Sequence, residues 1–405
     1  MTKKPFEGIN VLDFTWIGVG PRTVSYLAYY GATVIKVESA ARPDPVRHAT
    51  PYKGGISGLE RSYRFAYLQH VKRYDITLNL NHPKGIEIVK RLVDWADVVA
   101  DGYTAGTMEK WGMGYEDLKK IKPDIIMLRT CMHGQTGPLA KLPGTGFTLT
   151  ALSGFAAITG WPNRPPAGLY DAFTDSVVPL FNAVCLIAAL DYRRRTGKGQ
   201  LLDLSQHEVS IHSIAPLILD YTVNNREPKT QGNRLDYAAP HGIYRCEGDD
   251  RWCAIAVFTD AEWNSFCQAI GNPAWTKDSR FSSLSGRKQN EDELDELVEE
   301  WTSQHPPEEV MVRLQEAGIG AGLAANLKDL YENPQLKHYR CFEELDHPEM
   351  GKLSLYQPPG FTLSKADYER HRPPLLGEHN ELVYTDILGI PDEEFVQLMT
   401  EGVFD

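Results

Sequence analysis

Two aspartates lie where a polar loop meets a long apolar segment. The loop starts at Pro165, contains Asp171 and Asp175, and gives way to an apolar run from Val177 to Leu190, which has the length of a helix. A carboxylate in the first turn of a helix is stabilised in its charged form by free N–H groups and the helix dipole. We therefore expect Asp175 to be ionised and oriented for attack on an acyl carbon. A plain helix cap would explain the same residues.

The far end of this helix is basic. Arginines at 193, 194 and 195 and a lysine at 198 surround the turn 196–199, and both glycine and positive charge are favoured where helices end. The pattern predicts one long helix that carries a carboxylate at its start and leads into a strand.

Strands and helices alternate along the first half of the chain. Strands are predicted over residues 8–14, 33–38, 74–80, 97–100, 124–129 and 200–205, and helices over 21–30, 86–96 and 177–190. Such alternation favours an α/β fold with an open, largely parallel, Rossmann-like sheet.

The first glycine turn partly matches a dinucleotide-binding fingerprint. Gly18 and Gly20 occupy the first two glycine positions, and Glu38 ends the second strand, where a ribose-binding acid is sought. Thr23 replaces the third glycine, and Pro21 interrupts the motif. Nicotinamide binding therefore stays an alternative that the spacing supports only in part.

Composition narrows the class of protein. The 405 residues are enough for two domains with separate cores, and a net charge of −12 disfavours a nucleic-acid partner. The six cysteines have no metal or disulfide spacing, which favours a reducing cytoplasm. We find no run approaching about 18 apolar residues and no signal-peptide pattern. A soluble, cytoplasmic protein without a membrane partner is expected.

After the predicted sheet, the sequence indicates a linker followed by a second domain. Residues 216–235 have the polar, charged composition of a linker, and a β-hairpin with a following helix predicts a smaller α+β domain over 236–325. A second linker is expected at 326–345. Residues 346–405 would then complete the large domain formed by residues 1–215.

Three motifs occur in order: Gly-Gln-Thr-Gly-Pro at 134–138, Thr-Gly-Lys-Gly-Gln at 196–200 and Leu-Gly-Glu-His at 376–379. Together with the opening GINVLDFTWIGVGP they resemble the class III CoA-transferases, the family of formyl-CoA transferase and carnitine CoA-transferase. The family's nucleophilic aspartate lies 21 residues before the threonine, which corresponds to Asp175, with Asp171 as the fallback. The resemblance also implies an interlocked dimer, or a hetero-oligomer with a paralogous subunit.

The resemblance extends to residues that bind coenzyme A. The matching positions here are Ile17, Gly18, Ser39, Arg42, Leu78, Gly102, Tyr103 and Lys110. Gly18 stands where some members have glutamine, and Ser39 where formyl-CoA transferase has arginine, with Arg42 as the local substitute. Lys110 replaces an arginine and would offer phosphate only a point charge. A solvated helix charge accounts for this lysine equally well.

A second set of positions is implied to face the acyl groups or to form a lid: Thr145, Pro240, His241 and Gly242. An ordinary loop histidine is the simpler account of His241. Thr145 stands where the related α-methylacyl-CoA racemases have histidine, and His133 is out of register with that position. Acid–base exchange at carbon needs two titratable groups, so racemisation becomes the less favoured interpretation.

The leading hypothesis is a covalent CoA-transferase. It would move coenzyme A from an acyl-CoA donor to a carboxylic acid through aspartyl anhydride and aspartyl-CoA thioester intermediates. The branch that the sequence most resembles implies succinyl-CoA as donor and an aromatic or dicarboxylic, benzylsuccinate-like acceptor. Neither a metal nor a nicotinamide cofactor is expected. The alternatives are an acyl-CoA racemase on the same fold and a catalytically silent partner subunit.

Overall fold

The computed structural model describes residues 4–170, 172–356, 360, 363–364 and 366–405. The chain folds into two compact units. The first comprises Met1–Ala156, Gly168–Glu227 and Lys337–Asp405, and the second comprises Ala157–Ala167 and Pro228–Leu336.

The first unit is built on a six-stranded sheet in which every strand pairs in parallel. The strands are β1 (Asn10–Phe14), β2 (Thr33–Glu38), β3 (Arg73–Thr77), β4 (Val98–Asp101), β5 (Ile126–Cys131) and β6 (Leu201–Ser205). Their order across the sheet is β3-β2-β1-β4-β5-β6. The predicted α/β fold with an open parallel sheet is confirmed, and each predicted strand lies within a few residues of an observed one.

Helices cover both faces of this sheet, with α1 and α8 on one face and α3 and α5 on the other. The helices of this part of the chain are α1 (Val19–Tyr29), α2 (Tyr63–Gln69), α3 (Pro83–Trp95), α4 (Thr107–Lys110), α5 (Tyr115–Ile121), α6 (Gly146–Leu152), α7 (Phe155–Ile158), α8 (Phe173–Thr196), α9 (Gln206–Ile211) and α10 (Ala215–Asn224). Successive side chains of a strand point to opposite faces, so Leu12 and Val11 enter two different apolar cores. Burial on both faces explains the apolar character of the central strands β1, β4 and β5.

The strand order reverses between β1 and β4. From β1 the chain first builds outward through β2 and β3, and it then returns to place β4 on the other side of β1. In open α/β sheets the crevice at such a point, outside the carboxyl ends of the strands, receives ligands. The turns that follow β1 and β4 are therefore the places to look for a site.

Helix α8 is the longest helix described, with 24 residues. It ends at Gly197, whose φ of 70° is the left-handed conformation that glycine adopts at helix C-termini. Inside the fold, the buried Asn182 donates from Nδ2 to the hydroxyls of Thr23 on α1 and Thr130 on β5, at 3.2 Å and 2.9 Å. These bonds fix the helix against the sheet.

The same helix bears on one expectation from the sequence. Its most apolar 18-residue window has a mean hydropathy of 1.8, so by length and composition alone it is able to cross a membrane. The expectation concerned an uninterrupted run of about 18 apolar residues, which Asn182 breaks, whereas a mean over 18 residues tolerates such polar positions. The buried side of α8 packs into the first unit through Val178, Leu186 and Ala189.

The second unit has its own sheet and core. The antiparallel sheet β7 (His241–Arg245), β8 (Trp252–Ala256) and β9 (Gly320–Leu323) is accompanied by α11 (Asp260–Ala269), α12 (Leu284–Gln289), α13 (Glu291–Thr302), α14 (Pro307–Glu316), α15 (Leu327–Glu332) and α16 (Pro334–His338). Its core includes Trp263, Phe266 and Phe281.

The boundaries of this unit differ from the predicted ones. Helix α10 occupies the first half of the stretch predicted as a linker, and the second unit begins at residue 228. It also takes in residues 157–167, because Gly160 accepts a backbone hydrogen bond from Gly232 at 2.9 Å. Local composition carries no signal for such a long-range pairing.

After the second unit the chain returns to the first. It forms the antiparallel hairpin β10 (Phe342–His347) and β11 (Gly351–Tyr356), a π-helical turn (Leu382–Ile387) and α17 (Asp392–Thr400). Residues 380–381 are α-helical and lead directly into the π turn. The Leu-Gly-Glu-His motif pairs with the edge strand β3, since Asp75 donates its N–H to His379 Nδ1 at 3.1 Å. The motif ties the C-terminal segment to the sheet.

Candidate active site

Asp175 is the third residue of α8 and is half-buried. Its backbone N–H donates to the carbonyl of Ala172 at 2.9 Å. It lines a cavity of about 560 Å³. The turn after β1 contributes Ile17 and Gly18 to this cavity, and the turn after β4 contributes Gly102. The carboxylate thus lies at the crevice where the strand order reverses.

Two glycines leave room for the carboxylate. A β-carbon on Gly18 would lie 2.8 Å from Oδ2 of Asp175, and one on Gly146 would lie 2.4 Å from its Oδ1. Real β-carbons do not approach oxygen so closely, so any other residue would displace the carboxylate. The resemblance matched Gly18 to a glutamine in some family members, and the structure gives a steric reason for glycine here.

Aromatic rings form one wall of the site. The ring centroids of Trp16 and Tyr103 are 5.7 Å apart, and those of Tyr103 and Trp111 are 5.4 Å apart. The guanidinium carbon of Arg42 lies 5.3 Å from the centroid of Trp16, within the range of a cation–π contact. This wall can stack on a planar group while the guanidinium meets an anion.

A second, smaller cavity of about 180 Å³ adjoins this wall. It shares Trp16, Arg42 and Tyr103 with the first cavity and is also lined by Ser39 and Leu78. The two cavities together offer an extended path along the carboxyl edge of the sheet.

A buried ion pair between Lys36 and Asp44 stabilises the turn after β1. Asp44 accepts the N–H of Ile17 at 3.2 Å and pairs with Lys36 at 3.3 Å. Lys36 also donates to the carbonyl of Thr15 at 2.7 Å. Burial disfavours the charge on Lys36, but the carboxylates of Asp44 and its neighbours outweigh burial and raise the pKa. The pair fixes both ends of the turn.

Ile17 in this turn has a φ of 64°. A β-branched residue with positive φ is strained, and such strain persists only where the surroundings impose it. The Asp44 carboxylate that receives the Ile17 N–H provides this constraint. The strained residue is directly next to Gly18, whose backbone faces the nucleophile candidate.

The Glu38 carboxylate takes part in a buried network with Arg47 and Asp44. Its carboxylate binds Arg47 at 2.9 Å and accepts the N–H of Asp44 at 2.8 Å. Burial opposes ionisation of Glu38, but Lys36 and Arg47 lower its pKa to about 2. These internal partners occupy the carboxylate that a dinucleotide fingerprint would direct to a ribose.

Asp101 at the end of β4 positions Tyr103. One carboxylate oxygen accepts the Tyr103 N–H at 3.1 Å, and the other accepts Nε of Arg129 at 3.0 Å. Burial raises the pKa of Asp101 to about 6, although Arg129 acts in the opposite direction.

His133 lines the same cavity as Asp175. Its ring packs edge-on against His207, with centroids 5.3 Å apart. Burial, and then His207, lower the pKa of His133. The sequence placed His133 out of register with the racemase histidine, yet the fold brings it to the cavity.

The sequence-predicted residues fall into five groups. Ile17, Gly18, Arg42, Gly102, Tyr103 and Thr145 line the first cavity with Asp175. Ser39 and Leu78 line the second. Lys110 is exposed at the end of α4 and lines neither. Pro240, His241 and Gly242 belong to the second unit. Asp171 lies outside the described residues.

Sequence reasoning missed four contributors: Arg22, Trp111, His133 as a cavity residue, and Gly146. Trp111 directly follows Lys110, and that proximity was its only signal. Gly146 directly follows Thr145, but only the packed structure shows that its missing side chain faces the carboxylate. Among the described residues no group of three or more His, Cys, Asp or Glu could hold a metal ion.

Residues 6–380 match the family model described as CoA-transferase family III. The chain belongs to this family. It is therefore a CoA-transferase, an enzyme that uses CoA thioesters as substrates, which confirms the leading hypothesis at that level. The resemblance read from the three motifs is confirmed over nearly the whole chain.

Named relatives agree with this membership. This family III CoA-transferase is 31% identical over 403 residues to succinyl-CoA–D-citramalate CoA-transferase of Chloroflexus aurantiacus, with 99% of this chain and 98% of that protein covered. It is 29% identical to the beta subunit of succinyl-CoA–L-malate CoA-transferase of the same organism, with 99% and 98% covered. A CAIB/BAIF family protein from Brucella suis has a similar structure, with a TM-score of 0.85, 29% identity, and 95% and 100% covered.

Proposed function

We propose that this enzyme transfers coenzyme A from succinyl-CoA to a second carboxylic acid, with Asp175 as the nucleophile. The observation that carries the proposal is the half-buried Asp175 carboxylate at the start of α8, facing a cavity at the point where the strand order reverses. The helix N-terminus favours its charged form. The second cavity, with Ser39, Arg42 and Leu78, would receive the nucleotide part of CoA.

The mechanism consists of four acyl transfers. Asp175 attacks the donor thioester carbonyl, which releases CoA thiolate and leaves an aspartyl anhydride. The thiolate attacks the aspartyl carbonyl, releases the donor acid and forms an aspartyl-CoA thioester. The acceptor carboxylate displaces the thiolate to form a second anhydride, and the thiolate then takes the acceptor acyl group and frees Asp175. Covalent catalysis preserves the acyl-bond energy.

Each step passes through an oxyanion that requires fixed donors. The Gly18–Gly20 turn is the candidate source, since the N–H of Ile17 is already bound to Asp44. The anhydride is open to hydrolysis, so water must be excluded during turnover. Thr145 at the cavity is proposed to contact the substrate, and Pro240, His241 and Gly242 are proposed to form a lid over the active site of a partner subunit. Lys110 would attract the CoA phosphates only electrostatically, at longer range and through solvent.

The relatives named above act on succinyl-CoA and on D-citramalate or L-malate. We propose succinyl-CoA as the donor here and a dicarboxylic acid, including benzylsuccinate-like aromatic ones, as the acceptor. The aromatic wall of Trp16, Tyr103 and Trp111 supports an acceptor or acyl chain with apolar surface. A panel of purified short dicarboxylates and benzylsuccinate, each incubated with succinyl-CoA, separates these acceptors.

The test of the proposal compares Asp175→Ala and Asp175→Asn with the wild-type enzyme in this assay. Transfer is expected to fall by at least about 10³-fold, because loss of a covalent nucleophile removes the whole pathway. Asp191→Ala is the matched control, since Asp191 is an exposed aspartate on the same helix. Undiminished transfer by Asp175→Ala would overturn the assignment and return attention to Asp171.

Racemisation is the second candidate, because His133 and Asp175 line one cavity and could serve as an acid–base pair. A racemase exchanges the α-hydrogen of a 2-methylacyl-CoA with deuterium from solvent when no acceptor acid is present. Exchange that needs both residues would favour this activity over transfer.

The assembly state is proposed from exposed apolar side chains of the first unit. Val184 on α8 is 66% exposed and Val223 on α10 is 71% exposed, and such surface favours association. We propose a dimer, interlocked as the resemblance implies, or a pair with a paralogous subunit like that of the L-malate enzyme. Native mass spectrometry and the activity of the purified chain alone distinguish a homodimer from a silent subunit.

A further inference from the structure

The carbonyl oxygen of Asp175 cannot receive the regular helical hydrogen bond. In an α-helix the carbonyl of residue 175 accepts from the N–H of residue 179. Residue 179 of α8 is proline, which has no N–H and whose ring crowds the carbonyl four positions earlier. The backbone carbonyl of Asp175 therefore lacks the regular i+4 donor of the helix, and a donor from another element can take that place.

Arg22 on α1 provides such a donor. Its Nη1 lies 3.3 Å from the carbonyl oxygen of Asp175 and 2.9 Å from Oγ of Ser176. Its Nη2 lies 3.0 Å from the hydroxyl of Tyr67 on α2. The guanidinium carbon is also 5.0 Å from the centroid of the Tyr67 ring. One side chain thus connects α1, α2 and the first turn of α8.

Arg22 stands one helical turn after Gly18. Residues four apart lie on the same face of a helix, and here the N–H of Arg22 donates to the Gly18 carbonyl at 3.2 Å. The backbone of Gly18 lies against the side-chain carboxylate of Asp175. The Arg22 guanidinium donates to the backbone carbonyl of Asp175. The start of α1 therefore fixes both the side chain and the peptide of the same residue.

We propose that Arg22 is a positioning residue for Asp175 and takes the place of the N–H that Pro179 lacks. The inference rests on the proposed role of Asp175 as nucleophile. The N-cap residue Ala172 gives α8 no side-chain cap, so the first turn depends on contacts from other elements. Precise placement matters because a shift of about 1 Å in a reacting group can cost about 100-fold in rate.

The test is a double-mutant cycle of Arg22→Ala, Pro179→Ala and the combination. Arg22→Ala is expected to lower kcat by about 10-fold to 100-fold and to change KM for succinyl-CoA by less than about 3-fold. Pro179→Ala restores a backbone N–H, so the combined variant should recover about 10-fold of that loss. Arg22→Lys keeps one cationic donor and should fall between wild type and Arg22→Ala.

Arg195→Ala is the matched control, because Arg195 is an exposed arginine at the far end of α8. Its kcat should stay within about 2-fold of wild type. If Arg22→Ala fails to fold, Arg22→Lys with and without Pro179→Ala forms the same cycle. Wild-type kcat in Arg22→Ala, or purely multiplicative effects of the two substitutions, would overturn the inference.

A readout that does not need catalysis separates the inference from the proposed function. Hydrogen exchange of peptides over residues 173–182 should quicken in Arg22→Ala and slow again when Pro179→Ala is added. If Asp175→Ala retains transfer, the proposed nucleophile is wrong, while this exchange pattern still decides whether Arg22 replaces the missing N–H. If Asp175→Ala is inactive and the exchange is unaltered, only the role of Arg22 fails.

Discussion

The backbone of Gly18 lies so close to Asp175 that a β-carbon at position 18 would stand 2.8 Å from Oδ2 of the carboxylate. Gly18 and Asp175 are 157 residues apart in sequence, yet the backbone of Gly18 limits where the Asp175 carboxylate can lie. The space left by a missing side chain sets where the carboxylate is held.

Gly18→Ala is expected to lower kcat by about 100-fold or more, because the added methyl group displaces the carboxylate from its attack position. Gly146→Ala should act similarly, since its β-carbon would lie 2.4 Å from Oδ1. Steady-state kinetics with succinyl-CoA measure both. The control is Gly322→Ala on β9, where a β-carbon meets nothing within 4 Å. Equal activity of Gly18→Ala and wild type would show that the carboxylate position is not critical.

Lys36→Met is expected to destabilise the protein by about 3–5 kcal/mol, because it leaves the buried carboxylate of Asp44 without its cation. Lys36 and Asp44 are both 1% exposed at the side chain. Urea-induced unfolding measures the change. Lys352→Met removes an exposed lysine paired with Glu344 and should leave the free energy of unfolding close to that of wild type, because solvent screens an exposed ion pair. A similar small effect at both positions would contradict the role given to the buried pair.

Removing the His347 imidazole should reduce the acid sensitivity of the fold. Burial, and then Arg372, lower the pKa of His347 to about 4, and Nδ1 accepts the N–H groups of Glu349 and Met350. An unfolded histidine has a pKa of about 6.5, so between these values the unfolded chain binds more protons. Stability supplied by the neutral ring is therefore present above pH 6.5 and is lost as pH falls toward 4, by up to about 3 kcal/mol.

The variant for this test is His347→Asn, whose amide oxygen can still accept a backbone N–H. Free energies of unfolding at pH 7 and pH 4.5 should differ less in His347→Asn than in wild type. His48→Asn, which changes an exposed histidine, serves as the control and should keep the wild-type difference. An unchanged pH dependence in His347→Asn would refute the proposed titration.

Arg42→Ala is expected to raise KM for succinyl-CoA by about 10-fold with little change in kcat, because a contact to the nucleotide part is made equally in ground and transition states. Arg42 lines both cavities. Arg194→Ala removes an exposed arginine on α8 and should leave both constants near wild type. A fall in kcat without a change in KM would place Arg42 at the reacting centre instead.

Local patterns predicted the sheet and α8 well. Strands β1, β4 and β5 are buried on both faces, so their apolar residues are distinct in sequence, and Gly197 marks the end of α8. The limits of the first linker were less well predicted, because helix α10 (Ala215–Asn224) occupies the first half of the stretch 216–235. The limits of the second unit depended on a pairing of Gly160 with Gly232 that no local signal announces.

Residues of the candidate site could be predicted where a sequence motif fixed their positions. Asp175 and the cavity residues near β1 and β4 came from motif spacing, and the fold brings several of them together. Arg22 could not be found in this way, because its role depends on Pro179, a residue 157 positions later in the chain. His133 was set aside for its register, although contact between distant turns brings it to the cavity.

We propose that the Asp175 carboxyl group becomes covalently linked to coenzyme A during turnover. The direct measurement is to mix the enzyme with succinyl-CoA, quench with hydroxylamine within one turnover, and map the modified residue by peptide mass spectrometry. A hydroxamate is expected at position 175 and should be absent from Asp175→Asn. Modification at another residue, or transfer with no trapped adduct at all, would contradict it.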